Sequence, residues 1–255
     1  MKTIVLLLSF LISIIPIIIF GYTFYNKDTI KEPKRLLSYL FISGMFSAII
    51  VIIISIAGLL FFPKLADISK IDSILILLFY SYIFIALIEE SSKLLMVYKL
   101  SYYNKEFNQA YDIILYSVFV ALGFAFFENI VYLISNPALL MAFLRGITAV
   151  PAHICFQTIM GYFLYLSKLN NKDKYIFLGL LIPCLLHGTY DFFIFTGSIF
   201  LIILDIVLLI IMFIIANQKI KKLIEIDKKN LKLYCPNCGL KINYEYCPNC
   251  GYKKQ

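Results

Sequence analysis

The sequence predicts an all-α polytopic membrane protein of about seven transmembrane helices, followed by a small soluble knuckle at the C-terminus. Three observations carry this. Of the 255 residues, 62% are hydrophobic. The apolar runs are long enough to cross ~30 Å of hydrocarbon at ~1.5 Å rise per residue. Lysine and arginine concentrate in alternate connections between those runs, as in a chain threaded repeatedly through a bilayer. The net charge of +8 is accounted for by these connections and the tail, and nucleic acid is not an expected partner.

The first run, 3–22, leads into a basic connection carrying Lys27, Lys31, Lys34 and Arg35, and no small-x-small cleavage pattern follows Phe20. It is therefore read as a retained helix and not as a cleaved signal peptide. Further runs at 36–62, 73–98, 112–135, 138–166, 174–195 and 197–217 complete the seven. The connections 99–111 (Lys99, Lys105) and 167–174 (Lys168, Lys172, Lys174) are basic, as is the chain after Lys219. Lys64 and Lys70 lie between the second and third runs, and no basic residue lies between the sixth and seventh. The positive-inside rule then places the N-terminus outside and the C-terminus in the cytoplasm of a multi-pass cell-membrane protein. Tryptophan is absent, so anchoring at the headgroups falls to the 19 tyrosines, among them Tyr22, Tyr25, Tyr98, Tyr102, Tyr103 and Tyr111.

The chain divides into a membrane domain, 1–217, a charged linker, 218–233, and a knuckle, 234–255. In the knuckle the pentapeptide CPNCG occurs twice, placing Cys235, Cys238, Cys247 and Cys250 as two C-x-x-C pairs eight residues apart. A Pro-Asn-Cys-Gly turn aims two thiolates at one ion, and its glycine relieves the backbone beside the second cysteine. A structural Zn2+ ribbon is the expectation. Disulfides are disfavoured in a cytoplasmic tail, and a redox dithiol lacks its strand-helix context. So short a module suits contact with a cytoplasmic partner better than catalysis.

Within the spans, few ionisable or strongly polar side chains lack an interface. They are Glu89, Glu90 and Lys93 in span three, Glu128 and Asn129 in span four, His153 in span five, His187 and Asp191 in span six, and Asp205 in span seven. A charge at the centre of a membrane helix costs about 2.5–3.5 kcal/mol, so these groups must meet one another, water or a metal. Counting along the helices to the nearest basic or acidic end gives ten residues from Glu89 to Lys99, sixteen from Asp112 to Glu128, fifteen from His153 to Lys168 and thirteen from Lys174 to His187. Those are depths of ~15–24 Å, which puts four helices' polar groups in one layer. Glu89 and Lys93 share a helix face at i and i+4, as do His187 and Asp191, whereas Glu90 points about 100° from Glu89. One cavity can collect most of them.

Such a cavity suits peptide hydrolysis, which needs an activated water, a stabilised oxyanion and a protonated leaving amine. Paired carboxylates out of water hold a shared proton readily, as suits a general base that must return it. Lys93 keeps the second carboxylate ionised. His187, held by Asp191, can donate to the oxyanion or the amine. Glu128, Asn129 and His153 can position the water.

The patterns E-E-x-x-K (Glu89, Glu90, Lys93), F-x-x-x-E-N (Phe124, Glu128, Asn129), H-x-x-F-x-x-x-x-G (His153, Phe156, Gly161) and H-x-x-x-D (His187, Asp191), in this order, resemble the PrsW family of intramembrane proteases. The resemblance covers about 80–195. It implies an intramembrane endopeptidase acting on a transmembrane or membrane-anchored protein, in a family that includes the shedding of an anti-sigma factor. Those proteases are grouped with the type II CAAX prenyl endopeptidases and with the seven-span scaffold subunit of gamma-secretase. Carried over, Glu89 and Glu90 activate water, Glu128 stands where the CAAX relatives have a histidine, and His187 with Asp191 matches their H-x-x-x-N/D pair. His153 belongs to the PrsW pattern itself, and the zinc knuckle lies outside the family core.

Plainer readings exist for each group. Glu89 and Lys93 can neutralise one another, Glu128 and Asn129 can join helices by hydrogen bonds, and a lone histidine can be a packing residue. Cys155 and Cys184 read as small buried hydrophobes, with Cys184 formally a thiol nucleophile at i−3 from His187. Asp205 reads as structural or as lying nearer the outer interface, and Arg145 as a cap at the start of span five. Three classes remain. The first is a protease working through glutamate-activated water without a catalytic metal, with a variant in which His153, His187 and a carboxylate hold zinc. A transporter is the second, for which inverted repeats or broken helices are needed and the sequence shows neither. The third is a non-catalytic scaffold.

Overall fold

The computed structural model describes residues 2–68, 71, 73–135, 138–231 and 249–250. Among the described residues the chain is helical without strands, and seven helices are long and apolar enough to cross a membrane. They are α1 (Lys2–Lys27), α2 (Lys34–Phe61), α3 (Ile74–Tyr102), α4 (Asp112–Ser135), α5 (Leu139–Asn170), α6 (Lys174–Phe195) and α7 (Ile199–Leu231). Cys235, Cys238 and Cys247 of the zinc ribbon lie outside the described residues, while Cys250 is described and exposed.

Burial orders the helices around α4. In its most apolar stretch 72% of residues are buried, against 17% for α1 and for α7, so α4 is the central helix and those two face lipid. Lipid offers apolar side chains as good an environment as protein does, so close packing must come from small residues that bring backbones together. Ser43, Gly44, Ser47 and Ala48 form such a stripe on α2, all buried. A Cβ on Gly44 would overlap the Val120 carbonyl, and one on Gly123 the Phe41 carbonyl. Neither carbonyl can move without shifting its helix. Gly123→Ala is therefore expected to lower the unfolding free energy by roughly 1–3 kcal/mol, read from melting of the detergent-solubilised protein; unchanged melting would contradict this crossing. Gly161, the last residue of the H-x-x-F-x-x-x-x-G pattern, makes a similar approach from α5 to Ile113 and Ile114 of α4.

Two spans depart from a regular α-helix, which the sequence did not lead one to expect. The backbone of α3 is π-helical over Tyr80–Leu87, immediately before the paired glutamates, and again over Tyr98–Tyr102. Insertions of this kind cluster at functional sites. In α5 the helix is interrupted at Thr148, between segments Leu139–Ile147 and Ala149–Asn170. Pro151 explains the interruption: it has no N–H, and its ring crowds the carbonyl four residues back, that of Ile147.

The seventh helix differs more. Its apolar run ends near residue 217, but the charged stretch beyond remains helical to Leu231. Ile220, Leu223 and Asp227 are buried on its inner face, so this part of the linker packs with the membrane domain. Tyr111, expected at the headgroups, is 1% exposed and donates its hydroxyl to the Phe24 carbonyl at 3.0 Å. Tyr22 and Tyr103 are well exposed.

Candidate active site

The middle of α3 brings Glu89, Glu90 and Lys93 to the bundle interior. Lys93 is fully buried, and its ammonium donates to Glu90 Oε1 at 2.8 Å and Glu89 Oε2 at 3.2 Å. The nominal 100° between the glutamates does not separate them, because a lysine at i+4 from one and i+3 from the other lies between their directions. Lys93 Nζ also meets His153 Nδ1 at 3.2 Å and sits 3.9 Å from the centroid of the Phe124 ring. One ammonium thus gathers α3, α4 and α5.

From α5, His153 turns its other nitrogen, Nε2, to Glu128 Oε2 of α4 at 2.9 Å. With Nδ1 accepting from Lys93, the proton belongs on Nε2, and the imidazole is fixed by both neighbours. The side chain of Gln157, one turn after His153, donates to Glu90 Oε2 at 2.7 Å. From α6, His187 presents Nδ1 to Glu90 Oε1 at 2.9 Å, while its Nε2 lies 3.3 Å from Asp191 Oδ2 and 3.9 Å from Glu89 Oε2. The His187 ring stacks on Phe156 at 4.8 Å and meets His153 edge to face at 5.4 Å. These aromatic contacts hold both imidazoles in one orientation.

The six expected catalytic residues and the two supporting ones therefore share one connected cluster drawn from α3, α4, α5 and α6. Asn129 enters through Arg145, whose Nε donates to Asn129 Oδ1 at 2.7 Å and whose Nη2 pairs with Glu128 at 2.8 Å. Arg145 is not a cap at the start of α5. It stands in the last turn of the first segment, its guanidinium 3.9 Å from the Tyr132 ring centroid, and it balances Glu128. Sequence reasoning missed both Arg145 and Gln157. The signals were present: Glu128 lacked a counter-ion, and Gln157 is at i+4 from His153 on the same face.

The two glutamates differ in freedom. Glu90 is 0% exposed with both oxygens bonded, whereas Glu89 is 7% exposed and, among the described residues, meets Lys93 and His187 through Oε2 alone. The cysteines stand aside. Cys155 lies among Ala152, Phe156, Tyr190 and Met212, and Cys184 Sγ faces the Ala86 carbonyl at 3.7 Å. Asp205 is buried at 6% exposure with Oδ1 unpartnered among the described residues.

Comparison with known proteins agrees with the family resemblance. The profile of the PrsW-protease family, described as PrsW family intramembrane metalloprotease, matches residues 32–217. The chain is 35% identical over 228 residues to a protein named Protease PrsW from Clostridioides difficile, covering 86% of this chain and 93% of that one. It is 37% identical over 200 residues to Protease PrsW of Oceanobacillus iheyensis, covering 78% and 87% of the two chains. To the protein of that name from Bacillus subtilis it is 37% identical over 117 residues, 45% of this chain and 53% of the other. No solved structure matches the chain. With its seven membrane-spanning helices and this similarity over most of its length, the chain belongs to the PrsW family of intramembrane proteases.

Proposed function

We propose that the protein is an endopeptidase that cleaves a membrane-associated protein substrate through water activated by Glu89. The observation that carries this is the asymmetry of the two glutamates. Glu90 is bound by Lys93, Gln157 and His187 and acts as a positioning residue, while Glu89 has an oxygen to spare beside the same lysine and histidine. In the reaction, Glu89 takes a proton from water as the water oxygen bonds to the scissile carbonyl carbon. The carbonyl oxygen becomes an oxyanion that His187 stabilises through Nε2–H, the nitrogen oriented by Asp191. The C–N bond then breaks, and the leaving nitrogen receives the proton from Glu89. Glu128 and Arg145 hold His153 and keep that side of the cluster neutral overall.

A zinc-dependent form is the second reading, favoured by a separate observation. One ligand atom from each of Glu89, Glu90, His153 and His187 lies within 4.8 Å of the others, and carboxylate with imidazole is a donor set zinc accepts. The set fits the ion if Lys93, which bonds to Glu89, Glu90 and His153, yields its place. A bound zinc would supply Lewis acidity and a more acidic water.

Metal analysis separates the two forms, and the fold says where to cut. Removal of 218–255 would take away Ile220, Leu223 and Asp227, which pack on the core, so the chain should end at Leu231. The purified 1–231 protein is expected to hold less than 0.1 zinc per chain after gel filtration, roughly the background of such a measurement set against the nanomolar or tighter binding of built zinc sites. About one ion per chain would shift the mechanism to the metal. In the full chain, a structural zinc on the four ribbon cysteines is the corresponding proposal, with a cytoplasmic protein as the ribbon's partner.

A further inference from the structure

A second convergence of acids lies far from the active site, at the end of the bundle that the lysine distribution assigns to the cytoplasm. The α1–α2 connection supplies Asp28 and Glu32, and Asp112 begins α4, sixteen residues before Glu128, or ~24 Å along the helix. One carboxylate oxygen from each of the three lies within 4.8 Å of the others. Their exposures are 4%, 4% and 0%.

The backbone secures one oxygen of each aspartate and leaves the other. Glu32 N–H donates to Asp28 Oδ2 at 2.9 Å, and the N–H groups of Asn108 and Gln109 donate to Asp112 Oδ2 at 3.0 and 2.7 Å. Asp28 Oδ1, Glu32 Oε2 and Asp112 Oδ1 are buried with no hydrogen-bond partner among the described residues. The amide of Gln109, 8% exposed, accepts from Thr29 Oγ1 at 2.6 Å, and its Nε2 is likewise unpartnered.

Among the described residues no basic side chain forms an ion pair with these charges. Lys27 and Lys31 are the nearest in sequence, but the Lys27 ammonium lies over the Phe24 ring at 5.0 Å and that of Lys31 donates to the carbonyls of Tyr25, Asn26 and Asp28 at 2.9, 3.0 and 2.8 Å. Carboxylates removed from water without counter-charge are costly, and an all-oxygen donor set without imidazole or thiolate matches a hard divalent cation.

We propose that Asp28, Glu32 and Asp112 form a binding site for Mg2+ or Ca2+. The ion clamps the α1–α2 connection to the first turn of α4. That turn also receives α7, because Asp227 accepts from the N–H groups of Ala110 and Tyr111 at 2.6 and 2.8 Å. Ion occupancy therefore couples to the seating of the helix that carries the ribbon.

Protons compete for the same oxygens, because a cation binds carboxylates in their ionised form. The other charged or titratable groups facing the cluster are Lys31, Glu106, Tyr111, Tyr116, Lys168 and Asp227.

The test uses the full-length protein in detergent, stripped with chelator and titrated with MgCl2 or CaCl2. The melting temperature is expected to rise saturably with one of these salts, more at about pH 8 than at about pH 5. Asp28→Asn and Glu32→Gln each abolish the rise, whereas Glu89→Gln, at the active site, retains it. No shift with either salt at the higher pH, or a shift that persists in both Asp28→Asn and Glu32→Gln, would overturn the proposal. Neither result bears on the protease reading.

Discussion

Glu89→Gln protein is expected to fold and to retain its substrate while cleaving it roughly 10²–10⁴-fold more slowly, the range for loss of a general base. Glutamine has the shape of glutamate and can still accept from Lys93 through its amide oxygen, so the 3.2 Å contact need not be lost. It cannot take a proton from water. The readout is cleavage of a reconstituted membrane substrate, with co-purification of uncleaved substrate as the binding control. Turnover within a factor of about three of the unaltered protein would remove Glu89 as the base. Loss of binding together with turnover would instead fit a scaffold, in which the cavity holds a partner and performs no chemistry.

Lys93→Met carries the largest expected effect on stability. Its ammonium, buried with no exposed surface, is the cation shared by Glu89, Glu90 and His153. Methionine fills the same volume and leaves two carboxylates uncompensated in a buried site. Breaking a buried ion pair from one side costs about 3–5 kcal/mol. Adding Glu90→Gln to Lys93→Met should recover part of that loss, since one orphaned charge is then gone, and the non-additivity measures the coupling directly. The cycle also speaks to the metal form. If the two glutamates and two histidines hold zinc once the ammonium is removed, Zn2+ will raise the melting temperature of Lys93→Met far more than that of the unaltered chain. Equal melting of Lys93→Met and the unaltered chain would show that Lys93 is not the counter-ion of the pair.

The separate helices and their motifs were legible because each rests on a short-range rule. Hydrophobic length gave the spans, and the i, i+4 spacing gave the Glu89–Lys93 and His187–Asp191 pairs, both of which make the contacts that spacing requires. Arg145 was hidden by its place in the chain. Near the start of an apolar run it reads as an interfacial cation, and only the interruption at Thr148 and the packing of α5 beside α4 bring it to Glu128 and Asn129. Gln157 was hidden by its uncharged side chain, which an inventory of ionisable groups passes over. The helical course of 218–231 was obscured by charge: lysines dominate the stretch, but its buried residues Ile220, Leu223 and Asp227 fall on one face at helical spacing.

By itself the sequence determined that the chain must live in a bilayer, how many times it crosses, and which side chains are too polar to face lipid. Those follow from the free energy of moving each residue type out of water, which is a property of composition and order along the chain. Tertiary structure alone decided which of those polar groups touch. The distinction between a fully bonded Glu90 and a freer Glu89, the place of Arg145, and the convergence of Asp28, Glu32 and Asp112 all depend on how helices distant in sequence approach. That approach is set by stripes of small residues and by backbone interruptions, whose consequences appear only when the neighbouring helix is in place.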